Sequence, residues 1–441
     1  MSRVLPTAAW TAAFCTVVLA GCSATPAPAA RPSSTALSSP SARAITPRSS
    51  LTLSHPSNAH SEASSTSSTE HPTAASDSET GAPRTAGSFT DVAFATPSQG
   101  AATEQRCKVP PGYTGPLLPW AGFVPWTGAN CTGVLLTTTD GGTRWDQVLT
   151  PSSALEGGSF LPSGFGWSWG PSALYLHAAG GNAWKMATLP AAATTDNPVQ
   201  WVSFSDPLRG WLAIGGLPCA TQGCPFSLYR TTDGGATWTD VGTDIAPGSQ
   251  QPTFPWLEYS GGGAIGSHGA WILSQWDLET TTDGGRQWKG ALPPHFGASG
   301  VTIPGTISPD GDGWLASGDR LWVTTTAGTA WKVVRQLPTP LTVAEVAAAL
   351  NERGAWALLQ TGCASDAGCT PGGVMVIGLQ SVGQVETGVP KGYAPKALAP
   401  LDARSAWAVA AGPHQATALL STDDGGASWS VRYTLPEGGT P

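Results

Sequence analysis

From about residue 89 onward, short apolar runs alternate with polar, glycine-rich stretches. One kind of run opens with Trp. It reads R-G-W-L-A-I-G-G from 209, G-A-W-I-L-S-Q from 269 and D-G-W-L-A-S-G from 312. It returns as R-G-A-W-A-L-L-Q from 353 and R-S-A-W-A-V-A-A-G from 404, with F-G-W-S-W-G from 165 as a looser copy. Short apolar runs bounded by Gly and Asp predict strands rather than helices. A shorter apolar run, such as V-S-F-S-D from 202, precedes the Trp run and predicts a partner strand.

A polar octapeptide begins 12 to 22 residues after the start of each of these Trp runs except the one from 353. It reads T-T-D-G-G-T-R-W at 138–145, T-T-D-G-G-A-T-W at 231–238, T-T-D-G-G-R-Q-W at 281–288 and T-D-D-G-G-A-S-W at 422–429. Decayed copies are T-T-T-A-G-T-A-W at 324–331 and H-A-A-G-G-N-A-W at 177–184. Asp-Gly-Gly favours a tight hairpin, because Gly takes positive φ freely and Asp accepts backbone N–H bonds inside the turn. The structural residues of the box are Asp140, Gly142 and Trp145; Asp233, Gly235 and Trp238; Asp283, Gly285 and Trp288; and Asp424, Gly426 and Trp429. The box is read as a hairpin, not as a catalytic acid or metal ligand.

Each unit therefore contains strand A, a turn, strand B opening with Trp, a loop, strand C, the box turn and strand D. Four antiparallel strands per repeat make a propeller blade. The box Trps stand 39 to 54 residues apart, and the last interval of 98 is twice 49. One blade therefore lacks a box; it is present as A-W-A-L-L-Q and V-M-V-I-G-L-Q. The expectation is an all-β, seven-bladed β-propeller of four-stranded antiparallel blades over 89–441, its first strand at Asp91 to Ala95.

Composition adds the outlying segments. Only 11% of the 441 residues are charged, 55 are Gly, 39 are Pro and 20 are Trp. Such a chain is no coiled coil, and a net charge of −8 argues against a nucleic-acid partner. Residues 1–22 read as a signal segment, with Arg3 before an apolar stretch that ends Leu19-Ala20-Gly21-Cys22. Residues 23–88 hold no aromatic residue and no Cys. Rich in Ser, Thr, Pro and Ala, they read as a disordered tether of roughly 45 Å root-mean-square span. The tether histidines His55, His60 and His71 are too irregularly spaced to hold a metal.

Two resemblances follow from these residues. Leu19-Ala20-Gly21-Cys22 resembles a bacterial lipobox, which implies a lipid on Cys22 and a place on the outer face of the cell membrane. The repeat resembles the Asp-box, or BNR, repeat of sialidases, sortilin-type receptors and some glycoside hydrolases. The full unit is most similar to the photosystem II assembly/stability factor family. That resemblance implies the propeller fold and, in its own family, an Arg-rich patch that binds a client protein.

Six cysteines remain outside the signal. The repeat places each neighbouring pair between strands B and C of one blade, which predicts Cys107–Cys131, Cys219–Cys224 and Cys363–Cys369. On the same face as these loops, Tyr113, Trp120, Phe123 and Trp126 form a candidate partner-binding surface, with Trp256 beside them. On the opposite, Asp-box face, Arg209, Arg353 and Arg404 precede strand-B Trps and are candidates for a partial basic arc near the axis. Asp310-Gly311-Asp312-Gly313 lacks the ligand spacing of a calcium loop and reads as a turn.

Catalytic machinery is poorly supplied. Arg-Ile-Pro, a sialidase signature, is absent. Glu258 and Tyr259 are sequence neighbours and so point to opposite faces of any strand. No Asp or Glu pair falls at matching inner-strand positions, and no cofactor or metal motif is found. The reading is a lipid-anchored, non-catalytic scaffold for a protein partner, with glycan binding or cleavage as the alternative. Cys22→Ala is expected to release the protein from membranes in a detergent phase-partition assay; retention of the variant would remove the anchor.

Overall fold

The computed structural model describes residues 84–109, 131–181, 183–194, 197–215, 226–242, 259–274, 277–293, 296, 304–317, 319–361, 370–413 and 416–435. They form 28 strands in seven four-stranded antiparallel sheets, with no α-helix among the described residues. Blade one is β1 (Arg84–Phe94), β2 (Gly100–Val109), β3 (Cys131–Thr138) and β4 (Asp146–Leu149). Blade two is β5 (Gly157–Phe160), β6 (Gly166–Gly170), β7 (Ala173–His177) and β8 (Trp184–Met186). Blade three is β9 (Val199–Phe204), β10 (Gly210–Gly215), β11 (Phe226–Thr231) and β12 (Thr239–Gly242). Blade four is β13 (Tyr259–Ile265), β14 (Gly269–Ser274), β15 (Leu278–Thr281) and β16 (Lys289–Gly290). Blade five is β17 (Gly305–Ile307), β18 (Gly313–Ser317), β19 (Arg320–Thr324) and β20 (Lys332–Gln336). Blade six is β21 (Thr342–Ala348), β22 (Gly354–Thr361), β23 (Thr370–Gly378) and β24 (Val382–Glu386). Blade seven is β25 (Ala394–Pro400), β26 (Ala406–Ala411), β27 (Thr417–Thr422) and β28 (Ser430–Leu435).

Sheet order equals sequence order in every blade. The first strands β1, β5, β9, β13, β17, β21 and β25 touch one another around the axis, save that β9 meets blade two through β6. The strand expected at Asp91 to Ala95 is longer and begins at Arg84. Thr85 to Ser88 pair with Lys108 to Gln105, and Ala86 and Ser88 are buried against the blade. Blade six makes its last turn without a box: Gly378 N–H donates to Ser381 O (2.8 Å) in a short hairpin.

Burial explains the composition of the strands. A middle strand such as β10 is buried along its whole length, because both of its faces meet neighbouring blades, and it is apolar throughout. Outer strands are short and exposed: β8 has three residues and β16 two. Short edges give other chains little to pair with.

The blades join through Trp and Gly. The strand-B Trp of one blade lies against the second box glycine of the next: Trp407 on Gly142, Trp211 on Gly285 and Trp356 on Gly426. These glycines have φ of +76°, +88° and +93°, so a side chain would strain the backbone and, at Gly142, overlap the Trp407 ring. Indole N–H groups add cross-blade bonds, from Trp167 to Val202 O (2.9 Å), Trp271 to Ile307 O (2.8 Å) and Trp356 to Asp402 O (2.8 Å).

The ring closes by packing blade seven on blade one, with no strand shared between them. Phe94 and Trp407 stack with centroids 4.0 Å apart, and Trp145 meets both edge-on at 6.0 and 6.3 Å. Phe89 N–H also donates to Thr417 Oγ1 at 3.0 Å. Trp407→Ala empties the centre of this closure and is expected to cost about 3–5 kcal/mol in denaturant unfolding; a loss below about 1 kcal/mol would mean that closure lies elsewhere.

Candidate functional site

Each complete box is a closed set of short hydrogen bonds. In the first, Thr138 Oγ1 donates to Asp140 Oδ1 (3.0 Å), Gly142 N–H donates to Thr138 Oγ1 (2.9 Å), and Arg144 N–H donates to Asp140 Oδ1 (2.9 Å). The sets around Asp233, Asp283 and Asp424 repeat it. Hydroxyl donation from Thr237 and Ser428 (2.6 Å each), with backbone N–H bonds, holds Asp233 and Asp424 down at about 2. Asp140 and Asp283 are lowered chiefly by the Arg144 and Gln287 N–H groups. A depressed carboxyl stabilises the fold above its ordinary value, and that stability disappears as pH falls through about 2.

The boxes also hold the A–B turns. The N–H of each first glycine donates to an A–B turn carbonyl of the same blade: Gly141 to Ser98, Gly234 to Leu208, Gly284 to His268 and Gly425 to Arg404, all at 2.8–2.9 Å. The decayed box of blade five keeps the pattern. Ala327 N–H donates to Gly311 O (2.9 Å), and Thr326 Oγ1 takes the Asp place by accepting from Ala330 N–H (3.0 Å). Ala327 occupies the first-glycine place with φ +51°. In blade two, His177 Nδ1 lies 3.3 Å from Gly164 O and ties the same turn.

The A–B turns rim an axial cavity of about 850 Å³. Its wall includes Trp167, Trp169, Trp271 and Phe160, and its ionisable groups are Asp91, Asp310, Asp312, Glu345, Glu352 and Arg353. Four of these carboxyls tie one blade to the next. Asp91 on β1 accepts from Gly158 N–H of β5 (2.8 Å) and from its own neighbour Val92 N–H (2.8 Å). Glu345 on β21 accepts from Leu398 N–H of β25 (3.1 and 3.3 Å to its two oxygens). Glu352 accepts from Ala403 N–H in blade seven (3.0 Å). Asp312, 1% exposed, holds Arg353 of blade six through Nε (2.5 Å) and Nη2 (2.6 Å).

Asp91 and Glu345 stand at matching inner-strand positions, which corrects the sequence expectation that no such pair exists. Each lies three residues before the end of its strand, directly after a β-bulge. The bulge breaks the two-residue alternation on which a sequence reading of strand faces depends. The recoverable signal is a similar tripeptide, Asp91-Val92-Ala93 and Glu345-Val346-Ala347, at the same distance from the A–B turn. Burial pushes Asp91 up to about 6 and Glu345 up to about 8; backbone donors oppose the rise, and the nearby Asp91 charge adds to it at Glu345.

Of the three candidate arginines, Arg353 lines the cavity, but its guanidinium is committed to Asp312. Arg209 pairs with Asp206 of its own turn (2.8 Å). Arg404 Nε donates to Asp423 O (3.3 Å). Of the three, only Arg353 lines the axial cavity. At the other end of blade one, Cys107 and Cys131 are opposite in register and joined, with S–S 2.06 Å. That end also carries Arg84, where β1 begins, so the described chain enters on the face opposite the cavity mouth. Tyr113, Trp120, Phe123, Trp126, Trp256, Cys22, Cys219, Cys224, Cys363 and Cys369 lie outside the described residues.

No family model and no curated protein matches the chain. Among solved structures it is similar to YCF48 bound to D1 peptide, at 20% identity and TM-score 0.42, over 62% of this chain and 80% of that one. It is similar to YCF48 from Cyanidioschyzon merolae at 19% and 0.40, over 62% and 83%. For a GH74 xyloglucanase from Xanthomonas campestris the values are 12% and 0.33, over 79% and 80%. Likenesses of this size carry no functional weight.

Two outcomes test the site. Ala327→Gly relieves a left-handed alanine and is expected to stabilise the fold by about 0.5–1 kcal/mol in denaturant unfolding. Arg353→Ala strands the buried Asp312 carboxyl. It should lower the thermal midpoint more than Arg209→Ala or Arg404→Ala, and Asp312→Asn in the same chain should recover part of the loss. Equal effects from all three arginines would show that the Asp312 contact carries no special weight.

Proposed function

We propose that the chain is a lipid-anchored, extracytoplasmic propeller that holds a protein partner and catalyses no reaction. The observation that carries this reading is how the cavity spends its chemistry. Asp91, Asp312, Glu345 and Glu352 all bridge consecutive blades. A rigid recess framed by clipped turns and aromatic rings suits recognition, because ordered surfaces lose little entropy on binding. A tether leading to a lipid on Cys22 would join the propeller on the face opposite the cavity, so the recess and the box face stay open to a partner.

The glycan-cleaving alternative would build on the inner-strand pair Asp91 and Glu345. Glycoside hydrolysis needs two carboxyls free to meet opposite sides of one bond. Here both oxygens of each are engaged by backbone N–H groups, which supports binding over cleavage.

Crosslinking in intact cells, followed by capture of the anchored chain, is the test. A protein partner is expected, and it should be lost on Trp169→Ala in the cavity wall while the variant remains folded and membrane-bound. Failure to crosslink any protein would overturn the scaffold reading. A partner retained by the variant would move the interface away from the axial cavity.

A further inference from the structure

The axial cavity has carboxyls in excess and, among the described residues, no cation to spare. Five carboxyls (Asp91, Asp310, Asp312, Glu345 and Glu352) face one cation, Arg353, in its wall. Arg353 is forked onto Asp312 through Nε (2.5 Å) and Nη2 (2.6 Å), and Asp310 also acts on it. The backbone ties leave the other carboxyls room to accept more. An ionised carboxylate has about four lone-pair sites. Asp91 takes two N–H groups, Glu345 one shared between its oxygens, and Glu352 one. Asp91 and Glu345 are only half-buried, and both line the cavity.

The wall between blades two and three is aromatic. There β9 meets β6 instead of β5, and Gly157 on β5 has no side chain. The Trp169 ring takes that place, so close that a Cβ would overlap it. Trp169 is half-buried and lines the cavity with Phe160 and Trp167. The recess of about 850 Å³ lies within the range of about 300–1,000 Å³ that ligand sites occupy. On the rim, Asp310 and Glu352 are exposed, and Leu208 in the A–B turn of blade three is 55% exposed.

We propose that the axial cavity admits an arginine-bearing segment of the partner protein. This rests on the scaffold reading above and names the chemistry of the partner. A guanidinium carries its N–H donors in a planar fork that matches carboxylates, and its plane stacks on an indole that also attracts its charge. Trp169 supplies the ring, and Asp91 and Glu345 supply the charge, within one recess. Burial raises both carboxyls, and a positive charge brought beside them favours their ionised form. A concave acidic wall also concentrates the field that draws a cation in. The exposed acids and Leu208 continue the surface outward over the rim. They fit a chain that places one side chain inside and lays basic and apolar neighbours across the mouth, where a lone amine would leave the rim uncovered.

The test titrates the purified full-length chain, in nonionic detergent, into fluorescein-labelled hexa-arginine and follows anisotropy. Hexa-arginine should bind more tightly than hexalysine, and hexaglutamate should not bind. Glu345→Gln and Glu352→Gln each remove a charge and keep an oxygen for the N–H group they accept. They should weaken binding about tenfold and about threefold, the exposed rim site losing less. Trp169→Ala should bring hexa-arginine down to the level of hexalysine. Asp146→Asn, exposed on the outer strand β4, controls for diffuse attraction and should leave the affinity unchanged. If Glu345→Gln fails to fold, Glu352→Gln decides against the same control. No binding of hexa-arginine would overturn the proposal. So would equal affinity for hexalysine, or a loss from Asp146→Asn as large as that from the cavity variants. Crosslinking in cells separates the two readings. A captured partner without hexa-arginine binding removes this inference alone, and no captured partner removes the scaffold reading and this inference with it.

Discussion

The fold depends on how seven separate sheets are held against one another. Each blade consists of four consecutive strands, and no strand is lent from the last blade to the first. All cohesion around the ring therefore comes from the seams. Burying the faces of sheets built from short strands requires side chains that reach across, and Trp supplies the largest such area. The second box glycine provides the space, and its positive φ sets the turn that brings the space to the Trp. Thus the box works in two directions: inward, it clips the A–B turn of its own blade; sideways, in blades one, four and seven, it receives the Trp of the preceding one.

The same economy runs through the polar groups. Charged residues are scarce, and several of those in the described core are placed where a seam leaves a backbone N–H without a partner. Asp91, Glu345 and Glu352 take such groups, and Ser203 Oγ does the same for Ala264 N–H (3.1 Å) between blades three and four. Buried N–H groups need acceptors, and on inner strands the acceptor comes from the adjacent blade. The axial cavity is thereby framed by groups already in use.

Much of the architecture is legible in the residues themselves. The box and the strand-B Trp repeat often enough to number the blades, and the doubled final interval locates the blade whose box is gone. The decayed boxes are legible too, since Thr326 keeps an oxygen where Asp stood. The inner strands are harder. Asp91 and Glu345 sit beyond bulges that shift the alternation by one residue, and their partners are backbone groups with no sequence mark. Arg353 and Asp312 belong to turns of different blades, so only the ring brings them together. The early start of β1 is hidden for a different reason: Thr85 to Ser88 are small and polar, and only the pairing with β2 makes them a strand.

A circular permutant tests most directly whether seams alone close the ring. Leu435 and Gly87 already lie side by side at the closure, so the two ends of the propeller can be joined by a short linker and the chain reopened before Gly157, between blades one and two. If every seam is a face-to-face joint between complete blades, the permutant folds and unfolds in denaturant with a midpoint close to that of the unpermuted propeller. A permutant that fails to fold, or that loses blade one in a separate early transition, would contradict closure by seams alone.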